Sequence, residues 1–399
     1  WLLKKKRFAL PTLLYFCLLC CVLTFAFTVL TCRKLVNRQL EDYQALKSSY
    51  QKLIRMDQIV RENFVYDIDE QYLSDYILAG YAYGLKNDYS YYLTEADFAK
   101  SSDSIGGDFA GIGIRVLPDE QGLIHIANVM IGSPAAEAGL QNGDRIAVVE
   151  GRPVGEIGYN QAVNDLLGTE GTQAHFEVLR GDGQLDFAVT RRKFALTTVV
   201  SRVLDSGYGY IRIYEFDLRT LEQFNTALDA LLGQGVPGIV FDMRENPGGE
   251  LKTICSVLDR LVPEGVIIEI ADKQGTYEQI RSDARELDLP MAVITNENTA
   301  SAAELFSATL RDYDKAVLVG TRTFGKGSVQ TIFPLGDNTG LSLTTGLYFP
   351  PSGESYDGEG IAPDVEVTLP EELHKKIYYL EEPEDVQLQA AVQALEQAA

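Results

Sequence analysis

The stretch GTRTFGKGSVQ, residues 320–330, comes within one residue of a nucleotide-binding loop. From Gly320 to Lys326 it follows G-x-x-x-x-G-K, but Gly327 stands where a Ser or Thr hydroxyl would ligate magnesium. Such a loop also opens onto a helix, whereas SVQTIFPL is β-branched and ends at Leu335 after Pro334, which is a strand pattern. Lys326 is left without a phosphate to hold. A lysine between two glycines is ordinarily a solvated turn residue, and it works as a base only if burial lowers its pKa from about 10.4. Gly325 and Gly327 allow backbone to pack close around the amine, and Gln330 is placed to hydrogen-bond it without charging it.

A partner for such a base lies upstream in TNENTASAAELFSA. Ser301 sits where an apolar strand pattern gives way to an amphipathic helix, with small neighbours Ala300, Ala302 and Ala303. A junction of that kind exposes a side chain at the carboxyl edge of a sheet and points free helix N–H groups at whatever binds there. Ser301, or Thr299 before it, is equally well read as a helix N-cap. The chain has three histidines, two in the small β module (His125, His175) and one near the C-terminus (His374), and it lacks G-x-S-x-G, so a Ser-His-Asp triad is disfavoured. H-E-x-x-H is absent too, and this chemistry calls for no metal and no cofactor. Acyl transfer needs donors for an oxyanion. DMRENPGGE (242–250) puts Gly248 and Gly249 between a buried-type strand and a helix, where N–H groups can point outward, although the same residues also make a plain turn.

In this order and at these separations, NPGG, TASAAE, GTRTFGKGSVQ and, near the end, YDGEGIAPDVEV resemble the C-terminal processing peptidases, also called tail-specific proteases. The resemblance runs from about residue 55 to 368. It implies a Ser-Lys endopeptidase in which Ser301 is the nucleophile, Lys326 the general base and Gln330 the residue orienting that lysine. The backbone N–H groups of Gly248 and Ala302 would form the oxyanion hole.

These residues need a scaffold. From residue 207 onward strands alternate with helices: 207–213, 238–244, 291–296 and 315–320 against 218–235, 250–262 and 301–312. That alternation predicts a layered α/β core with parallel pairings, followed by a hairpin split by GDNT. Residues 111–193 read instead as short strands and turns around the helix of GSPAAEAGLQNGD. GIGI, Gly111, Ile112, Gly113 and Ile114, is too short for a dinucleotide fingerprint because Val116 stands at the third glycine position. Glycines ahead of a strand do free N–H groups for a terminal carboxylate, with an extended peptide added to the strand, as PDZ domains bind. The segment resembles the PDZ module of the same family, which implies recognition of protein C-termini. Relatives often carry LRG or IRG where this chain has LLGTEG, so Leu167 replaces the arginine thought to couple ligand binding to activation.

The expected architecture is an α/β (α+β) multidomain protein: 1–34 cytoplasmic tip and transmembrane signal anchor, 35–103 helical stalk region, 104–192 PDZ, 193–370 Ser-Lys protease core and 371–399 helical tail. Residues 8–32 carry no charge and as a helix would span roughly 37 Å, enough for a bilayer. Lys4, Lys5, Lys6 and Arg7 precede them, which places the N-terminus in the cytoplasm and the bulk of the chain outside it, in a bacterial envelope. The run is too long for a signal peptide and no A-x-A-like site follows it. Of five cysteines only Cys255 lies beyond this segment, so no disulfide framework is expected outside the membrane. A net charge of −22 argues against a nucleic-acid partner. The partners implied are protein substrates with unstructured tails, the membrane and a possible second copy of the chain. The rival function is a catalytically silent PDZ scaffold at the cell envelope.

Overall fold

A computed structural model describes residues 15, 16, 18–31, 33, 48, 50–104 and 108–398. The expected membrane segment 8–32 lies partly outside these residues, as does most of the stalk before residue 50. Residues 18–31 are helical, and among the described residues no helix is long and apolar enough to cross a membrane. The described residues up to Ser74, which include the helix Gln51–Asn63, belong to one unit, and those from Asp75 onward to a second, compact one.

The strands of the second unit, in chain order, are β1 (Tyr91–Leu93), β2 (Asp108–Gly111), β3 (Ile114–Pro118), β4 (Ile124–Val129), β5 (Arg145–Val149), β6 (Arg152–Pro153), β7 (Gln173–Arg180), β8 (Gly183–Thr190), β9 (Arg192–Ala195), β10 (Val199–Val203), β11 (Gly209–Ile213), β12 (Ile239–Asp242), β13 (Gly265–Asp272), β14 (Tyr277–Ser282), β15 (Met291–Thr295), β16 (Ala316–Gly320), β17 (Ser328–Gly336), β18 (Thr339–Phe349) and β19 (Val365–Glu366).

Six strands form the sheet that positions the site, in the order β10-β11-β12-β15-β16-β19. β11 through β19 pair in parallel, as the strand–helix alternation predicts, and β10 is an antiparallel edge. Side chains along these strands alternate between two cores, as a period of two requires. Ile239, Phe241, Met291, Val293 and Leu318 face the helices Thr220–Gly233, Leu251–Leu258 and Ala302–Asp312. Tyr210, Val240, Ala292, Ile294 and Val319 face the opposite way, onto Leu388, Ala391 and Leu395 of the C-terminal helix Val386–Ala398. A parallel sheet needs cover on both faces. The segment set apart in the sequence as a tail is the second layer of the core.

That layer is also held by charge. Arg244, 1% exposed, bonds Asp242 on one side (2.7 Å) and Asp385, at the head of the C-terminal helix, on the other (2.6 Å). Burial alone would push the Asp242 carboxyl up, but the charges of Arg244 and Arg212 and hydrogen bonds from Arg244 and Tyr210 outweigh it and hold the group well below the usual range.

A second, antiparallel sheet runs β1-β18-β13-β14, with β17 also on β18. β17 and β18 are the expected hairpin, and Asp337 and Asn338 both take the left-handed φ (46° and 56°) its tight turn needs. The β13–β14 hairpin escaped the sequence reading, which left 265–282 unassigned. The small module is a sheet in the order β3-β4-β5-β7-β8 around a separate core, with helices Pro134–Glu137 and Tyr159–Leu166. It touches the larger α/β core through Arg115–Glu215 (3.2 Å). The C-terminal segment reaches it through Lys375, whose carbonyl meets His125 Nε2 at 3.2 Å.

Asp385→Ala leaves one side of a buried guanidinium uncompensated and unpins the C-terminal helix. The expected loss is about 3–5 kcal/mol of unfolding free energy, read as a lowered urea midpoint.

Candidate active site

β12, β15 and β16 are neighbours in the sheet, so the loops leaving their carboxyl ends meet. The loop after β12 carries Glu245–Gly249, the loop after β15 ends at Ser301, and the loop after β16 carries Lys326. Three segments separated in sequence become one site because the strands before them pair in parallel.

Ser301 occupies the N-cap position of Ala302–Asp312 with φ 55° and ψ −116°. This is a strained backbone for a residue with a Cβ, of the kind that persists where surrounding bonds over-determine it. The bonds are present. Ala300 N–H donates to the Asn246 carbonyl (2.9 Å), Thr299 Oγ1 donates to the Met243 carbonyl (2.9 Å), and Phe324 N–H donates to the Thr299 carbonyl (3.0 Å).

The tightest tie comes from Glu304, one turn into the helix and 0% exposed. Its Oε2 accepts from Ser301 N–H (2.9 Å) and Lys326 N–H (2.7 Å). Its Oε1 accepts from Gly325 N–H (2.7 Å) and Thr323 Oγ1 (2.5 Å). One buried carboxylate therefore binds the serine junction to the lysine loop. Burial raises the Glu304 carboxyl above its ordinary pKa, and the hydrogen bonds from Thr323, Lys326, Gly325 and Ser301 offset only part of that. The sequence reading singled out the serine and not this glutamate, although S-A-A-E has capping-box spacing and carried the signal.

The glycines beside the site are there for room. A Cβ on Gly248 would lie 2.8 Å from Ala300 O, Ala302 N and Ser301 Cβ, at φ 100°. A Cβ on Gly325 would lie 2.8 Å from Gly360 N, and one on Gly327 2.9 Å from Asp357 N, so YDGEG packs directly on the lysine loop. The close backbone expected around Lys326 is this segment. Burial lowers the Lys326 pKa from its ordinary value.

The sequence-derived residues are assembled with different partners from those expected. Among the described residues the Lys326 amine makes no hydrogen bond or ion pair, to Ser301 or otherwise, and lies 4.6 Å from the centroid of the Tyr89 ring. Gln330 does not hold the lysine. It stands opposite Thr344 in the β17–β18 register, so its amide donates to Thr344 Oγ1 (3.3 Å) and Ser328 Oγ (3.2 Å). The Gly248 N–H donates to Asn246 Oδ1 (2.9 Å), an Asx turn two residues long, rather than facing outward. Ala302 N–H, first in its helix, has no partner among the described residues. Asn246, fully buried, is a second residue the sequence reading passed over: its Nδ2 also donates to the Ile213 carbonyl (2.8 Å).

In the small module, Gly113 takes φ 83°, and a Cβ there would lie 2.2 Å from Ser133 Cβ. The Ile112 and Gly113 carbonyls accept from Ala135 N–H (2.8 Å) and Met130 N–H (3.0 Å), Gly111 ends β2, and Ile114 begins β3. β3 is an outer strand, so an extended peptide can pair with it. Leu167 lies exposed just after Tyr159–Leu166 and offers no charge.

Comparison with known proteins agrees in both regions. Residues 207–367 match the model of peptidase family S41, and residues 100–179 match that of the PDZ domain. A carboxy-terminal-processing protease of Bartonella bacilliformis is 35% identical over 338 residues, 81% of this chain and 77% of the relative. Carboxy-terminal processing protease CtpA of Bacillus subtilis is 31% identical over 337 residues, 84% of this chain and 72% of the relative. The solved photosystem II D1 C-terminal processing protease superposes with a TM-score of 0.55 at 25% identity, covering 84% of this chain and 92% of that one. A putative S41 protease from Bacteroides fragilis shares the fold, with a TM-score of 0.58 at 19% identity over 79% of this chain and 88% of that one.

Two substitutions test the geometry by stability alone. Ser301→Gly relieves the positive φ and is expected to unfold about 1 kcal/mol later than Ser301→Ala, compared by chemical denaturation. Glu304→Gln turns an NH2 toward backbone N–H groups already aimed at the carboxylate. Its expected cost is about 1–3 kcal/mol, read in the same assay.

Proposed function

As the chain belongs to peptidase family S41, among the carboxy-terminal processing proteases, and is a serine peptidase with a PDZ domain, we propose that it cuts proteins through an acyl-enzyme on Ser301 with Lys326 as general base. The neutral Lys326 amine takes the Ser301 hydroxyl proton as Oγ attacks the peptide carbonyl carbon. The tetrahedral oxyanion is met by the N–H groups of Ala302 and Gly248, the latter released from Asn246. Collapse breaks the C–N bond, and the Lys326 ammonium gives its proton to the departing amine. Water activated by the same amine then hydrolyses the ester. Gln330 orients the lysine once the amine has left Tyr89.

The observation that carries this reading is the Glu304 carboxylate, which holds the Ser301 and Lys326 backbones on two oxygens of one group. Strain at Ser301 and the lowered pKa of Lys326 point the same way. Substrates are proteins with unstructured C-termini, gripped at Gly111–Ile114 and laid along the open edge of β3. The uncharged residues 8–32 behind a basic tip support a single-pass anchor in a bacterial cell membrane, with the peptidase outside the cytoplasm.

Ser301→Ala and Lys326→Ala are each expected to lower kcat/KM on an unstructured tail peptide by more than about a thousandfold. Wild-type activity in either ends the assignment, whereas a wild-type chain that leaves the peptide uncut favours the PDZ scaffold. A base that works unprotonated also requires kcat/KM to rise with pH as Lys326 loses its proton. The rise should level off below the ordinary lysine range, because burial lowers that pKa. A flat profile through this range overturns the assignment of the base.

A further inference from the structure

The segment NDYSYYL, residues 87–93, belongs to neither family motif around the serine nor the lysine loop, yet it is built into the site. β1 pairs with β18, Tyr91 opposite Ser342. Ser342 Oγ donates to the Tyr89 carbonyl (3.1 Å), and Thr344 N–H donates to Ser90 Oγ (3.0 Å). Ser90 Oγ and Thr344 Oγ1 both donate to Asn87 Oδ1 (2.8 and 2.9 Å). Thr344 Oγ1 is the atom that receives the Gln330 amide. The backbone of Tyr89 is thus fixed from both sides, and its half-buried ring presents a face to the Lys326 amine at 4.6 Å. That contact is the amine's partner in this structure, in place of the serine.

We propose that Tyr89 is a positioning residue for Lys326: its ring face holds the side chain as an ammonium and so sets how readily the amine is released, unprotonated, toward Ser301. The inference rests on Lys326 being the base. The physical reason is that a ring quadrupole attracts a cation and has little hold on a neutral amine. Removing the face therefore favours the neutral form, while an apolar replacement keeps the amine dry. The charges around the ring are Glu304 from the serine helix, Asp357 from the YDGEG segment and Asp88 on the ring's own loop. Burial first, and then these carboxylates, hold the Tyr89 hydroxyl protonated, and none of the three bonds the Lys326 side-chain amine among the described residues, Glu304 meeting only its backbone N–H.

The test uses the full chain with Ser301→Ala, so that it does not depend on turnover. Acetic anhydride labelling of Lys326 is followed against pH by peptide mass spectrometry. Tyr89→Leu is expected to move the labelling midpoint down by about one pH unit. Tyr89→Phe, which keeps the ring, should retain the original midpoint, and Tyr89→Trp, with a stronger face, should move it up. In the active chain the alkaline rise of kcat/KM should shift the same way in each variant. An unmoved midpoint in both Tyr89→Leu and Tyr89→Trp overturns the proposal. The assignment of Lys326 as base then still stands or falls on Lys326→Ala.

Discussion

The site depends on a buried carboxylate that is fully bonded. Taking Glu304 out of water is costly, and the cost is offset in part because four donors converge on it: three backbone N–H groups and one threonine hydroxyl. Its place in the first helical turn adds the favourable field of the helix N-terminus. The donors come from both sides of the site, so satisfying the charge also fixes the distance between them. A neutral side chain there would have to pair donors with donors. The glycines at 325, 327 and 360 follow from the same constraint, because the lysine loop can reach Glu304 only by pressing against the backbone of residues 357–360.

What the carboxylate fixes is backbone; side-chain ends are left with choices. The Lys326 amine rests on an aromatic face, the Gly248 N–H on Asn246, and the Gln330 amide on Thr344. Each of these is a satisfied arrangement, and each has to be exchanged for the chemistry proposed. The exchanges are local: a lysine swing, an Asx turn opening and an amide rotation. A rigid framework with exchangeable tips explains how strain at Ser301 persists while, among the described residues, no hydrogen bond joins its side chain to the Lys326 amine.

The same logic of satisfied charge ties the C-terminal segment to the core. Arg244 follows β12, on the loop that leads to Gly248, and is shared between Asp242 and Asp385. Arg212 lies over the rings of Tyr214 and Tyr378, 5.2 and 4.9 Å from their centroids, and donates to the Ile377 carbonyl (2.6 Å). Through Lys375 and Glu120 (2.7 Å) the same C-terminal segment reaches the PDZ sheet. The segment that closes the second face of the core thus also touches the PDZ domain, which joins stability of the sheet to placement of that domain.

Much of this was legible in the residues. The strand–helix alternation after residue 207, the hairpin at GDNT and the small β module are local patterns set by hydrophobic period and turn chemistry, and the structure has them. NPGG, TASAAE and FGKG fall at the carboxyl ends of adjacent parallel strands because that topology is implied by the alternation. Glu304 was half legible: its spacing from Ser301 announces a cap, but its bonds to residues 323–326 span the fold. The role of residues 371–398 as a core layer, the β13–β14 hairpin and the ring over Lys326 were not legible. Amphipathic period says that a face is buried without saying against what, and a hydrogen-bond partner at large sequence separation leaves no periodic trace. The sequence by itself determined which groups are candidates for the proposed acyl transfer and which strand ends present them. Only the tertiary structure decided their present partners, because those depend on distances set by packing between segments that sequence separation does not encode.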